Sequence, residues 1–409
     1  MARNDARLIR FGVLALALIL TVLVLSKGST TNYVASSNNT SSSSPAAGRN
    51  VKSAAKGAST GAGNYKGYST IPGYEDTHLK KQENKGTVKA TFVSLARNRD
   101  LWSLIGSIRH VEDRFNSRYA YDWVFLNDEE FSNEFKRTTT ALISGQTKYG
   151  LIPKEHWSFP EWIDTDKAAA TREQMKADKI IYGDSVSYRH MCRYESGFFY
   201  RHELLQDYEY YWRVEPDIKI HCDVKYDVFQ FMKDNNKQYG FTISIHEYPA
   251  TIATLWDTTK EFIKEHPEYL PKDNMMDFVS DDGGASYNMC HFWSNFEIGN
   301  LNFWRGEAYS KYFEHLDKAG GFFYERWGDA PIHSIAAALF LPKDQIHYFP
   351  DIGYYHGPFH NCPINDEFRL EHTCMCNPKD DFTFKGYSCG EKFHTVQKLT
   401  KPENWEDFA

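Results

Sequence analysis

The triplet Glu215-Pro216-Asp217 follows an apolar run, Tyr210-Tyr211-Trp212-Arg213-Val214, and sets two carboxylates around a proline. Proline fixes the local backbone and cannot donate to a ladder, so the run reads as a strand that stops there. In open α/β sheets, ligands sit beyond the carboxyl ends of strands. Two hard oxygen ligands at such a place suit Mn²⁺ or Mg²⁺ bridging a diphosphate. A metal-free acidic turn has the same composition, and spacing alone leaves both readings open. The residues that follow, Ile218-Lys219-Ile220-His221-Cys222-Asp223, read as a second, more polar strand.

The elements that would hold this triplet show in the periodicity. Lys89–Leu95, Tyr121–Leu126 and Gly240–Ile245 read as strands. Leu101–Phe115, Ala168–Ile181, Leu255–His266, Trp304–Leu316 and Ala330–Phe340 read as helices. Strands alternating with helices predict an α/β sandwich with a mostly parallel sheet. After the first strand, Leu95-Ala96-Arg97-Asn98-Arg99-Asp100 contains no glycine, which argues against a dinucleotide-binding or P-loop fold.

The 409 residues carry a net charge of -7, which argues against broad nucleic-acid binding. Aromatic residues make up 16% of the chain, an excess that fits a large core first and a stacked ligand second. Residues 11–26 are predominantly apolar, with Arg3, Arg7 and Arg10 before them and Lys27 after. We expect a cytosolic tail over 1–10, a signal anchor over 11–26 and a lumenal remainder, by the positive-inside rule. A cleaved signal peptide is the competing reading. Residues 27–78 are rich in Ser, Thr and Gly and read as a stem, with sequons at Asn38 and Asn39. Residues 79–409 read as one catalytic domain. Seven cysteines in a lumenal domain imply mostly disulfides with at least one thiol left over. Cys374-Met375-Cys376 is too close for a zinc ribbon, so the last four cysteines read as a stapled tail.

Longer blocks carry more information. Tyr188-Arg189-His190-Met191-Cys192-Arg193-Tyr194-Glu195-Ser196-Gly197-Phe198-Phe199 leads into Tyr211-Trp212-Arg213-Val214-Glu215-Pro216-Asp217. Further on come Phe292-Trp293-Ser294-Asn295-Phe296-Glu297-Ile298 and Arg326-Trp327-Gly328-Asp329-Ala330-Pro331-Ile332-His333-Ser334. Ile352-Gly353-Tyr354-Tyr355-His356 and Gly386-Tyr387-Ser388-Cys389 complete the set. Together they resemble the fungal Golgi α-1,2-mannosyltransferases of glycosyltransferase family 15, over the whole domain after the stem.

The resemblance implies a GT-A-like fold, Mn²⁺, GDP-mannose as donor and transfer with retention to mannose-terminated N- or O-linked glycans. It implies a single-pass Golgi membrane protein and allows association with other Golgi mannosyltransferases. Glu215 and His356 would hold the metal, with Asp217 beside them as a further ligand, on water or on the nucleotide. Glu297 is the candidate carboxylate beneath the sugar, as nucleophile, electrostatic stabiliser or sugar contact. Tyr188 falls near the diphosphate and acceptor. Asp329 is either a hydroxyl contact or a helix cap. Arg97 and Arg189 are candidate nucleotide contacts, with surface pairing as the alternative; Arg193 is treated the same way. Transfer of mannosylphosphate, or a non-catalytic mannan-binding role, are the alternative functions.

Overall fold

The computed structural model describes residues 88–409. The expected tail, anchor and stem lie outside the described residues, and among those described no helix is long and apolar enough to cross a membrane.

The strands are β1 (Ala90–Leu95), β2 (Asp122–Asn127), β3 (Thr147–Leu151), β4 (Tyr210–Arg213), β5 (Lys219–Ile220), β6 (Tyr239–Phe241), β7 (Ser244–His246), β8 (Cys290–Phe292), β9 (Ile298–Asn300), β10 (Ile346–Tyr348), β11 (Tyr354–His356) and β12 (Phe359–Asn361). Seven make one sheet in the order β10-β6-β9-β4-β1-β2-β3. Four of its six pairings are parallel. Both antiparallel pairings involve β9, which lies between β4 and β6. The sheet is therefore mixed, with one reversed strand in a parallel frame.

Alternate residues of the central strands enter different cores, as a period of two requires. Val93, Val124 and Tyr211 join the core that also contains residues of the helices Leu255–Glu265, Glu307–Ala319 and Asp329–Phe340. Phe92, Trp123 and Trp212 join the other, with Leu101, Leu104 and Ile108. Much of the aromatic excess is spent here: Phe92 stacks on Trp123 at 4.7 Å, and Trp212 meets Phe296 edge-on at 5.3 Å.

Two expected elements divide. Gly240–Ile245 splits into β6, in the central sheet, and β7, which pairs with β8. The helical run Trp304–Leu316 breaks at Gly306, whose extended backbone separates helix Leu301–Arg305 from helix Glu307–Ala319.

A small sheet, β12-β11-β5, begins just after the turn that ends β4. β11 runs antiparallel to β5, with Tyr354 opposite Ile220 and Tyr355 opposite Lys219. That pairing returns His356 to the turn between β4 and β5. Disulfides fasten the tail around it: Cys222–Cys374, Cys362–Cys376 and, beside β7, Cys290–Cys389. Cys192 is left as a buried thiol.

Candidate active site

β4 is parallel to β1, so Arg97, two residues past β1, lies at the same sheet edge as Glu215. Along β4 the alternation puts Tyr211, Arg213 and Glu215 on one side. Arg213 is the hub. Its Nη2 donates to Glu215 Oε1 at 2.5 Å, and its Nη1 donates to Asp329 Oδ2 at 2.6 Å. Ser294 Oγ donates to the same Asp329 oxygen at 2.8 Å. Asp329 opens helix Asp329–Phe340, but its carboxylate turns to Arg213 and does not cap the helix. Burial alone would raise the Asp329 pKa; Arg213 and His333 outweigh it and hold the carboxyl below its usual value.

The other oxygen of Glu215, Oε2, faces His356 Nε2 at 3.6 Å. That gap is too long for a good hydrogen bond, and it leaves both atoms free to serve as ligands of one shared cation. Burial works against ionisation of Glu215, but Arg213 and His356 prevail and bring its pKa down to about 2. The donor set, one carboxylate and one imidazole, fits Mn²⁺. Asp217 is exposed, in the left-handed region at φ 64°, where the chain turns from β4 to β5. Among the described residues, no third His, Cys or carboxylate joins Glu215 and His356 within 4.8 Å. Direct ligation by Asp217 is thus not seen, and its carboxylate is left to water or the nucleotide.

Glu297 immediately precedes the reversed strand β9. The Arg213 amide donates to the Glu297 carbonyl at 2.9 Å, so the reversal sets Glu297 beside the end of β4. Its carboxylate is fully buried. Tyr211 Oη donates to Oε1 at 2.8 Å, and Tyr239 Oη donates to Oε2 at 3.0 Å. His333 Nδ1 donates to Oε2 at 3.0 Å, while His333 Nε2 donates to the Glu195 carbonyl at 3.1 Å. Acceptors at both nitrogens favour the doubly protonated imidazole. Burial opposes that charge, but Glu297 overcomes it and raises the His333 pKa. The Glu195 side chain is also buried near this cluster; desolvation first, then Asp329, Glu297 and Glu215, push its pKa to about 7 against the pull of Arg213.

Tyr188 sits on helix Val186–Gly197, where its amide donates to the Ser185 cap. Its ring is stacked with Tyr182 at 4.6 Å and lies 5.0 Å from the Arg326 guanidinium. Glu247 approaches Arg326 at 4.0 Å. Burial is the main reason the Tyr188 phenol stays protonated.

Two expectations need correction. Arg189 is fully buried, and its nitrogens donate to the Glu325 carbonyl, the Ser185 carbonyl and Met175 Sδ. It is a packing arginine with no exposed atom for a diphosphate. Arg193 is likewise buried, in a two-pronged pair with Asp317. Arg97 keeps half of its side chain exposed while paired with Asp100, so it stays available at the sheet edge.

Arg213, His333, Tyr211, Tyr239, Ser294, Glu247 and Glu195 were not singled out from the sequence. Three had a signal. Tyr211 and Arg213 stand four and two residues before Glu215 along a strand, hence on its face. His333 stands four after Asp329 on a helix, hence on its face. Tyr239 and Glu195 come from distant segments and had none.

The glycolipid 2-alpha-mannosyltransferase family model matches residues 49–398. Glycolipid 2-alpha-mannosyltransferase 1 of Candida albicans is 58% identical over 428 residues, covering 100% of this chain and 99% of its own. Alpha-1,2 mannosyltransferase KTR1 of Saccharomyces cerevisiae is 63% identical, over 83% of this chain and 88% of its own. Among solved structures, core-mannan synthase A (CmsA/Ktr4) of Aspergillus fumigatus, in its Mn/GDP form, superposes with a TM-score of 0.72. It is 42% identical and covers 80% of this chain and 88% of its own. The S. cerevisiae mannosyltransferase Ktr4p in complex with GDP gives 0.73 at 37% identity, over 81% and 88% of the two chains. With the whole described domain inside the matched span except its last residues, the chain belongs to the glycolipid 2-alpha-mannosyltransferase family.

Proposed function

We propose that the site at the carboxyl edge of β4 moves a mannosyl group from GDP-mannose to the 2-hydroxyl of a mannose at a glycan end, with retention. The observation that carries this is the convergence of Glu215, His356, Asp329 and Glu297 around Arg213. Three carboxylates there face two cations, Arg213 and His333, which leaves a negative site for a cation and a developing sugar charge.

When bound between Glu215 and His356, Mn²⁺ supplies Lewis-acid stabilisation of the leaving diphosphate. The protein's own groups do the rest. Arg213 fixes Glu215 toward His356 and Asp329 toward the sugar side. Asp329, held by Ser294 and Arg213, is placed to accept from a substrate hydroxyl. Glu297 is buried, and three donors already occupy its carboxylate. We therefore assign it electrostatic support of the oxocarbenium-like sugar, not covalent attack. The acceptor oxygen then enters on the leaving-group side. The new C1–O bond forms as the C1–O(phosphate) bond breaks, and the acceptor proton passes to the departing phosphate oxygen. Tyr188, beside Arg326, would border the diphosphate and acceptor.

The finer setting is also our reading. The arginine-flanked apolar run 11–26 and the stem to residue 78 support a single-pass Golgi anchor with the domain 79–409 in the lumen. Glycoprotein N- or O-glycans are the acceptors this setting offers, and other Golgi mannosyltransferases are the natural neighbours.

The test is to incubate the full chain with GDP-mannose and methyl α-mannoside, with Mn²⁺ or with EDTA. A product heavier by one hexose, formed only with metal, supports the reading. A product heavier by a hexose and a phosphate would move the chemistry to phosphorus.

A further inference from the structure

Most aromatic side chains of this domain are buried, yet three tyrosines near the candidate site are not: Tyr182, which stacks on Tyr188, and the pair Tyr248 and Tyr387. Tyr248 is 56% exposed and Tyr387 43% exposed. Both are held by the end of β7. The His246 amide donates to the Tyr387 carbonyl at 3.4 Å, and the His246 and Tyr387 rings lie 5.8 Å apart. Two residues on, Cys389 is tied to Cys290 of β8. The Tyr248 amide donates to Glu247 Oε1 at 2.8 Å, and its carbonyl accepts from Thr251 Oγ1 at 2.7 Å.

Glu247 joins this pair to the site. It faces Arg326, which lies against Tyr188. Its Oε2 is 3.9 Å from where a side chain on Gly328 would begin, and Gly328 precedes Asp329. Glu247 therefore links Tyr248 to the segment that carries the residues assigned to the acceptor.

A pyranose has an apolar C–H face and a polar rim. A tyrosine ring offers a flat, amphipathic surface with few rotors to freeze. Resting on the transfer reading above, we propose that Tyr248 and Tyr387 form a stacking ledge for the mannose units behind the acceptor's terminal mannose. The ledge makes the enzyme favour oligomannosides over a single sugar.

The test compares methyl α-mannoside with α-1,2-linked mannotriose as acceptors for the full chain and for Tyr248→Ala and Tyr387→Ala. We expect the KM for mannotriose to rise about three- to tenfold in each variant, the size of a lost aromatic contact. The KM for methyl α-mannoside and both kcat values stay as they were. Tyr248→Phe, which keeps the ring face, restores the preference. An equal rise for both acceptors would make the tyrosines mere supports of the fold and overturn the ledge, as would no change for either. If the unmodified chain turns over neither acceptor, the transfer reading itself falls, which is a separate result from failure of the ledge.

Discussion

His333 Nδ1 and Glu297 Oε2 lie 3.0 Å apart with neither side chain exposed to solvent, an ion pair sealed under the sheet edge. The second imidazole nitrogen is anchored on the Glu195 carbonyl, so the cation cannot turn away. We read a carboxylate held this way as an electrostatic support of the sugar and not as its nucleophile.

Replacing that charge isolates its role. Glu297→Gln keeps the shape and removes the field. We expect kcat to fall about 10²–10³-fold, as when a preorganised electrostatic group is lost. The KM for GDP-mannose should change little. Intact-mass analysis of a quenched reaction should find no mannosyl adduct on the native protein. An adduct at Glu297 would contradict the assigned role.

Arg213 spans two carboxylates with two different nitrogens, a geometry that lysine cannot copy. Arg213→Lys keeps the charge and loses the bridge. We expect kcat/KM to fall about a hundredfold, since Glu215 and Asp329 both lose their fixed orientation. A denaturant midpoint measured alongside separates this from unfolding. A loss under twofold would show that charge alone suffices.

The small sheet supplies His356, one of the two residues proposed to hold the ion. Glu215→Gln or His356→Ala should weaken Mn²⁺ binding at least about tenfold, read by paramagnetic resonance of free Mn²⁺. Activity lost to EDTA should return with Mn²⁺ in the native chain, and in the variants only at higher concentration. Unchanged Mn²⁺ affinity in both variants would place the ion elsewhere.

Acid should loosen the small sheet first through His221. This imidazole is buried against His360 at 5.5 Å, and neither of its ring nitrogens has a partner. Burial, then His360, His110, Lys219 and Arg114, press its pKa down to about 4. The unfolded chain takes up the proton near pH 6.5, the folded chain only near 4. Stability from this group is therefore full above about 6.5 and declines as pH falls to about 4, by on the order of 3 kcal/mol. His221→Phe should flatten that part of the curve of denaturant midpoint against pH. An unchanged slope would rule His221 out as its cause.

The long, strongly periodic elements were readable from the sequence because their cores are buried on a regular face. β1, β2, β4 and the helix at Asp329 come within a few residues of their expected spans. The reversed strand β9 was not readable. It has three residues, Ile298–Asn300, too few for a period to show, and its direction is set by partners far away in the chain. Yet β9 is what carries Glu297 to the end of β4. The same holds for β11, whose pairing with β5 brings His356 back across more than a hundred residues. Arg189 misled for the opposite reason. A basic residue beside a site motif looks like a phosphate ligand until its burial and its three internal acceptors are seen.

The most direct measurement is the NMR spectrum of the disaccharide made by the full chain from GDP-mannose and methyl α-mannoside with Mn²⁺. The account requires an α anomeric signal with a 1→2 linkage, one GDP released per bond formed, and none of this in EDTA. A β-linked product, or GDP released without any bond to the acceptor, would contradict retaining transfer at this site.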